Sequence, residues 1–516
     1  MTRVDEYIEQ VIRRGDEGSD LLAKKFAPTL KNNNHVRILS EGMNGFNVLE
    51  VPEGYCIVVH SAGGNPRQTS LESYAGSLVD NLMYQADVLD VMPIGVADTI
   101  DARVADKFML EVIADALCAK ANANDFPILN GELAVLGTRV RDVNLSGTMI
   151  STARMNEMDF DVTSVPKLIK RYGSYYGVFD PEGKKIYINS DGVGTKTEFY
   201  ERFGNYEFSI DDFYAMVLDD ASKKGAKAKV ISGVLETKGK IPVSRINERA
   251  YERANGMGIL GILQHEDVGD RLIGYSPSTP SLNVGGSVVS VIDEFRLQNP
   301  LKPSPGEYLV AISGRPNPRS NGISSKRKGM NEKIGTEWCK KYGVNEWHNT
   351  PEGKIFLEYL ASPSVILYPV FEELISKDLA KSVYHPSGGA WNGKVARPLA
   401  KNNLFVEVDE LPPPDWREIT IACALETDAE NAYGQWPMGT DGLFTTKNPE
   451  EAIKIVNKYG LKAKVIGQIK QEADKTGVQL HTFSLGELPS DILNERCRDY
   501  AAREFNGKVI SFTGLN

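Results

Sequence analysis

The sequence predicts a mixed α/β protein in which one unit is used twice and is followed by a region of different pattern. Strand-like apolar runs alternate with segments of helical period along most of the chain. The order of features over residues 42–151 recurs over residues 173–293, and an internal duplication is the economical account of that recurrence. At 516 residues the chain is also too long for one ordinary core.

In order, Val4, Ile8, Val11 and Ile12 give the N-terminus helical spacing until Pro28 and Asn32-Asn33-Asn34 break it. The first copy then reads as a glycine-rich stretch at 42–46, a strand at 55–60 and the turn Ser61-Ala62-Gly63-Gly64-Asn65-Pro66-Arg67. A helix over 74–84, a strand over 88–96 and a helix over 102–121 follow. A strand at 126–129 leads into a loop, Asn130-Gly131-Glu132, and a strand over 145–151 closes the copy. The second copy has a glycine-rich stretch at 173–179, a strand at 185–189 and the turn Ser190-Asp191-Gly192-Val193-Gly194-Thr195-Lys196. Helices are expected over 211–224 and 244–262, strands over 227–233 and 285–293, with a loop at Gly274-Tyr275-Ser276-Pro277. The two turns are in constant register, 129 residues apart at both ends. Pro300, Pro303 and Pro305 mark a boundary, after which a strand over 308–314, Pro318-Arg319-Ser320-Asn321-Gly322 and a basic helix at Lys326-Arg327-Lys328 open the last region. A helix over 449–459 and a strand over 463–469 follow, and the final 45 or so residues carry no assignable role.

Composition narrows the function. Net charge is −10 with no long basic run, which argues against nucleic acid. The five cysteines are scattered without a Cys-x-x-Cys pair, which argues against zinc and disulfide frameworks and fits a reducing cytoplasm. No apolar run is long enough to span a membrane. Small molecules with anionic groups are the expected partners.

The second turn holds the chemistry. Its glycines let backbone N–H groups approach an anion. Asp191 is a hard oxygen ligand of the kind Mg²⁺ takes beside phosphates, and Thr195 and Lys196 add a hydroxyl and a point charge. In the first turn Ala62 replaces Asp191 and Pro66 replaces Thr195, while Arg67 keeps a cation opposite Lys196. Conversely, Glu132 in the first copy has no acidic match in the loop at 274–277. The helix ends differ as well, Asp80-Asn81 against Asp219-Asp220. Each copy lacks something the other has, so a composite site across the pair is expected.

Several motifs, in order, resemble the ATP-dependent AIR synthetase-like superfamily. Asp191-Gly192-Val193-Gly194-Thr195-Lys196 is similar to its phosphate and magnesium turn. Asp219-Asp220 with Gly225-Ala226 resembles its acidic helix end, and Asn130-Gly131-Glu132 its Gly-Gly-Glu loop. Asn317-Pro318-Arg319-Ser320-Asn321-Gly322, His385 with Ser387-Gly388-Gly389, and Met438-Gly439-Thr440-Asp441-Gly442 resemble segments of its C-terminal domain. The match covers residues 40–470, and after residue 305 it looks most like aminoimidazole ribonucleotide synthetase. Arg319 departs from the family's histidine and Pro437 from its asparagine.

The resemblance implies a helical extension at 1–40, N-terminal-type domains at 41–155 and 165–295 that pair into a β-barrel flanked by helices, an α/β C-terminal domain at 305–470 and an extension at 471–516. It implies ATP and Mg²⁺ as cofactors and cyclo-ligase chemistry on formylglycinamidine ribonucleotide in purine biosynthesis. Asp191, Lys196, Glu132 and His385 are the expected catalytic residues. Gly45, Arg67, Gly192, Gly194, Thr195 and Lys196 are expected to bind nucleotide, and Ser320, Asn321, Gly388 and Gly389 the substrate. Asp191, Asp220 and Glu132 are the expected metal ligands, with Asp80 and Asp219 as second choices. A different acceptor and a non-catalytic nucleotide-binding role are the alternatives, and a homodimer is compatible with either.

Overall fold

The computed structural model describes residues 3–32, 36–39, 48–276, 278–320, 322–386, 388–487 and 493–514. The chain forms two compact units, Gln10–Asn299, and Pro300–Asn516 with Met1–Glu9.

The strands of the first unit are β1 (Arg37–Ile38), β2 (Val48–Glu50), β3 (Tyr55–Gly63), β4 (Met92–Ala102), β5 (Ile128–Val135), β6 (Val143–Arg154), β7 (Lys167–Arg171), β8 (Ser174–Phe179), β9 (Lys185–Gly192), β10 (Lys227–Lys238), β11 (Leu260–Asp267) and β12 (Ser281–Ile292). They make two six-stranded sheets, β5-β4-β6-β3-β8-β7 and β11-β10-β12-β9-β2-β1. The order is the same in both, so the duplication read from the sequence is a duplication of topology. The first hairpin of each copy is exchanged: β2 pairs with β9 of the second copy, and β8 pairs with β3 of the first.

Alternation along the strands builds the layers. Ile57 and Val59 of β3, Ile186 and Ile188 of β9, Ile262 of β11 and Val289 and Val291 of β12 meet in one core between the sheets. The intervening residues of β3, Cys56, Val58 and Ala62, face helices α2 (Leu71–Leu89) and α3 (Lys107–Ala123) with Leu78, Leu82 and Ile113. Each such fully buried aliphatic side chain contributes roughly 1.5–3 kcal/mol. The barrel is thus two facing sheets with an apolar filling and helices outside. The second copy's helices include α4 (Thr197–Phe203), α5 (Phe208–Ser222) and α6 (Val243–Gly256).

Three sequence expectations change here. Asn130-Gly131-Glu132 lies inside β5, not in a loop. The helix expected over 244–262 ends at Gly256, and Gly258 at φ 70° turns the chain into β11. The second-copy counterpart of β5 is therefore β11, which carries Glu266, and not the loop at 274–277. Finally, Asp80-Asn81 does not align with Asp219-Asp220. His60 Nε2 contacts the Leu82 carbonyl as Asn189 Nδ2 contacts that of Val217, and the left-handed Asp90 after α2 matches Gly225 after α5. Tyr84 and Gln85 are the true counterparts, about one helical turn along.

In the second unit, β13 (Tyr308–Ser313), β14 (Ser382–Tyr384), β15 (Phe405–Val408), β16 (Gly442–Thr446), β17 (Lys462–Lys470), β18 (Gly477–His481) and β19 (Val509–Phe512) form one sheet ordered β14-β16-β13-β17-β15-β18-β19. The final residues, unassigned from sequence, supply its last two strands. Among the described residues no helix is long and apolar enough to cross a membrane.

Candidate active site

The turn of the second copy begins inside β9, where Asp191 and Gly192 pair with Gly286 and Gly285 of β12. These glycines permit close approach: a methyl group on Gly286 would lie 2.4 Å from the Gly233 Cα, and one on Gly285 2.9 Å from Thr99 Cγ2. Gly194, at φ 69°, then starts a single 3₁₀ turn that runs into α4. Asp191 Oδ1 accepts the Gly192 N–H at 2.7 Å. Thr195 and Lys196 are buried. Lys196 Nζ lies 3.0 Å from Asp212 Oδ1, and the other Asp212 oxygen accepts the Tyr200 hydroxyl. The lysine charge is matched within the protein by an acid that the sequence reading passed over.

Asp191 shares its side of β9 with Tyr187 and Asn189, the side toward α5. Burial, and then the charge of Asp220, push the Tyr187 hydroxyl up. With Asn189 beside Val217, this runs α5 antiparallel to β9 and puts Asp220 near the start of the strand. Tyr187 and Asp191 are four residues apart, about 13 Å of strand. Asp220 pairs there with Lys223, and Asp219 is buried beside it.

Glu132 approaches from the other side. It is in register with Thr99 of β4, whose Cγ2 would lie 3.9 Å from a methyl group on Gly192. The structure therefore brings the Glu132 strand to the Asp191 turn but leaves Asp220 at the far end of its helix. Among the described residues no group of three or more His, Cys, Asp or Glu side chains is arranged to hold a metal ion. Of the expected nucleotide ligands in the first copy, Arg67 is exposed and Gly45 lies outside the described residues.

Asp98 is a further buried acid of β4, on the helix-facing side of the strand, opposite Thr99. It is buried on β4, and a methyl group on Gly131 would overlap its Oδ1, at 2.0 Å. That oxygen has no hydrogen-bond partner, and burial pushes the carboxyl up to about 7. Its signal in the sequence is an acid within an apolar strand.

The first turn is closed. Glu266 of β11 packs against it, its Cγ 3.1 Å from where a Gly63 Cβ would be, and burial pushes its carboxyl up, opposed by the Gly63 backbone. The Gly64 N–H is spent on the Leu145 carbonyl. Arg271 stacks on Tyr74 at 3.8 Å and donates to the carbonyls of Val143 and Gln68. Its counterpart Arg139 is directed to α4 beside the intact turn: it pairs with Glu201 and donates to Thr197 Oγ1 at 3.2 Å and Ser281 Oγ at 3.1 Å. The repeated Gly-x-Arg, Gly137-Thr138-Arg139 and Gly269-Asp270-Arg271, was the available signal.

In the second unit the predicted motifs gather where β13 and β14 end and β16 begins. Asp441 is the hub. It accepts the Gly314 N–H at 2.6 Å and Asn317 Nδ2 at 2.8 Å, and lies 3.8 Å from Arg319. Burial pushes its carboxyl up, opposed by Arg319. Arg319 is buried in the left-handed region at φ 48°, with its N–H on Asn317 Oδ1. The arginine that departs from the family thus stabilises a turn. His385 is buried next to this hub, Gly388 is exposed, and Gly389 at φ 79° reverses the chain. Ser320 is half-buried, and Asn321 and Ser387 lie outside the described residues. The expected basic face fails at Lys326: it is buried over Trp436 and paired with Glu418. Burial pushes this ammonium down and this carboxyl up, each opposed by its partner.

Residues 304–479, which include this sheet end, match the family described as AIR synthase related protein, C-terminal domain. A phosphoribosylformylglycinamidine cyclo-ligase of Methanococcus vannielii is 24% identical over 337 residues, 64% of this chain and 90% of that protein. The C-terminal third of this chain is thus similar to an AIR synthase related domain. The cyclo-ligase of Prochlorococcus marinus is 28% identical over 350 residues, 64% of this chain and 95% of that protein. Among solved structures, phosphoribosylformylglycinamidine synthase II of Thermotoga maritima aligns with a TM-score of 0.35 at 13% identity, over 61% of this chain and 44% of that one. The chain thus spans less than half of that synthase.

Proposed function

We propose that this protein is an ATP- and Mg²⁺-dependent cyclo-ligase that converts formylglycinamidine ribonucleotide to aminoimidazole ribonucleotide. The observation that carries the proposal is the intact turn at 190–196, set against the strand of the first copy that bears Glu132. The named activity of the relatives supports the same reading.

Magnesium commonly takes one or two protein carboxylates and completes its shell with phosphate oxygens and water. Asp191 and Glu132 therefore fit a magnesium–nucleotide although they form no metal centre by themselves, and Asp220 does not join them. Bound there, the ion would neutralise phosphate charge. The chain's own part is positioning and charge. Gly192 and Gly194 allow close backbone approach, and Thr195 and the Lys196–Asp212 pair fix the start of α4. Arg139 ties that helix to the first copy. The substrate amide oxygen would be phosphorylated, and an internal nitrogen would displace phosphate to close the ring. Ser320, Asn321, Gly388 and Gly389 are proposed to bind the substrate, with His385 buried beside them.

The test is to supply purified protein with ATP and formylglycinamidine ribonucleotide and to measure ADP and aminoimidazole ribonucleotide. Both should appear in equal amounts. ADP without the imidazole would redirect the reading to another acceptor, a course that Arg319 and Pro437 favour. Absence of ATP binding would end both.

A further inference from the structure

The duplication puts a second set of polar groups where the two copies face each other, between the two turns. Asp101 and Asn144 are register partners on β4 and β6, and Glu236 and Asn283 are register partners on β10 and β12. These are equivalent positions of the two copies, so the four side chains form a pseudo-symmetric set where the sheets face each other. All four are buried, with exposures of 4%, 1%, 2% and 3% in that order.

Hydrogen bonds join them across the copies. Asn283 Nδ2 donates to Asp101 Oδ2 at 2.6 Å and to Glu236 Oε2 at 2.9 Å, and Asn144 Nδ2 donates to Glu236 Oε2 at 3.1 Å. Both amide nitrogens are used in this way, and one amide oxygen, that of Asn144, is left without a donor. Among the described residues Asn144 Oδ1 is fully buried with no hydrogen-bond partner, whereas Asp101 Oδ1, Glu236 Oε1 and Asn283 Oδ1 are not closed off from solvent in that way. Among the described residues no lysine or arginine bonds to either carboxylate; Arg271 directs N–H groups to the carbonyls of Val143 and Gln68. A buried carboxylate without a cation is costly, and so is a buried carbonyl without a donor.

We propose that a hard divalent cation, Ca²⁺ or Mg²⁺, binds here between the two copies. Two carboxylates and two amide oxygens are the donor set such ions take. One divalent ion would neutralise both acids and supply the partner that Asn144 Oδ1 lacks. Burial holds Asp101 up at about 6, and burial with the charge of Asp101 holds Glu236 at about 8, so the competing occupant is a proton. The ion would clamp the copies together, apart from the chemistry at Asp191.

The full chain, purified without chelator and desalted, is analysed for bound metals by plasma mass spectrometry. After EDTA treatment it is titrated with CaCl₂ and with MgCl₂ in the absence of nucleotide, following heat of binding and Tm. About one ion per chain and a rise in Tm with one of the two salts are expected. The isosteric double variant Asp101→Asn/Glu236→Gln should lose both, whereas Asp191→Ala should keep both. A wild-type chain with no bound ion and no response to either salt overturns the proposal in favour of a shared proton. A response that survives in the double variant, or vanishes in Asp191→Ala, also overturns it. Should the double variant not fold, Asn144→Leu replaces it, with at least about tenfold weaker binding expected.

Discussion

The two turns of the first unit began as the same device and now differ in what stands opposite them. At 61–67 a carboxylate side chain from the other copy, Glu266, packs against the Gly63 backbone and fills the space that an anion would use. At 190–196 the position equivalent to Glu266 is Ala134, which offers no such group. The arginine that follows tells the same story. Arg271 lies over an aromatic ring at the closed turn, whereas Arg139 braces the helix that leaves the open one. A duplicated site can therefore be retired by filling it from the partner copy, while the partner's strand continues to serve the site that remains.

Breaking the two braces should separate their roles most strongly. Arg139→Ala leaves Glu201 buried without its counter-charge, and such losses cost about 3–5 kcal/mol. Arg271→Ala removes a ring contact and two bonds to carbonyls, a loss of about 1–2 kcal/mol. Urea denaturation of the two variants measures the difference. Equal costs would show that the braces are equivalent and that the asymmetry of the turns does not extend to them.

Exchanging the acids sharpens the comparison at the level of turnover. Asp191→Ala should lower ADP formation by about 10²–10³-fold, the usual cost of one charge-stabilising group. Ala62→Asp should change it little, because Glu266 already fills that turn. Glu132→Ala should fall with Asp191→Ala although it lies in the other copy. Full activity in Glu132→Ala would reduce the first copy to scaffold.

Much of this was legible in the sequence, and the failures have physical causes. The duplication and several of the strands followed from apolar runs and a repeated turn, which local periodicity reports well. β11 was hidden because Leu260, Ile262 and Leu263 continue the apolar spacing of α6, and only Gly258 marks the break. Asp80-Asn81 was matched by residue type, and the helix register that decides the match is set by tertiary contacts. Asp212 and Glu201 look like surface acids, since nothing local says that Lys196 and Arg139 will be buried with them. Asp220 shows the limit most clearly: it belongs to the expected motif, yet the antiparallel course of α5 carries it to the opposite end of β9.

The smallest effect concerns Asp98, whose counterpart in the second copy is Gly233, so any consequence of its ionisation belongs to the first copy alone. Burial raises its folded-state pKa to about 7 without a compensating partner on Oδ1, against about 3.9 in an unfolded chain. A carboxyl raised in this way favours the folded state when neutral. Its contribution is complete below about pH 4 and is lost as the pH rises through about 7. Wild-type stability should accordingly fall across that window relative to Asp98→Asn, which cannot ionise. The divergence should be about 1–3 kcal/mol, the scale for burying an unsatisfied polar group. Urea midpoints of the two proteins at pH 4.5, 6 and 7.5 would show it. Parallel curves would mean that Asp98 is already ionised at low pH, with a cationic partner at the β4–β5 edge that holds it so.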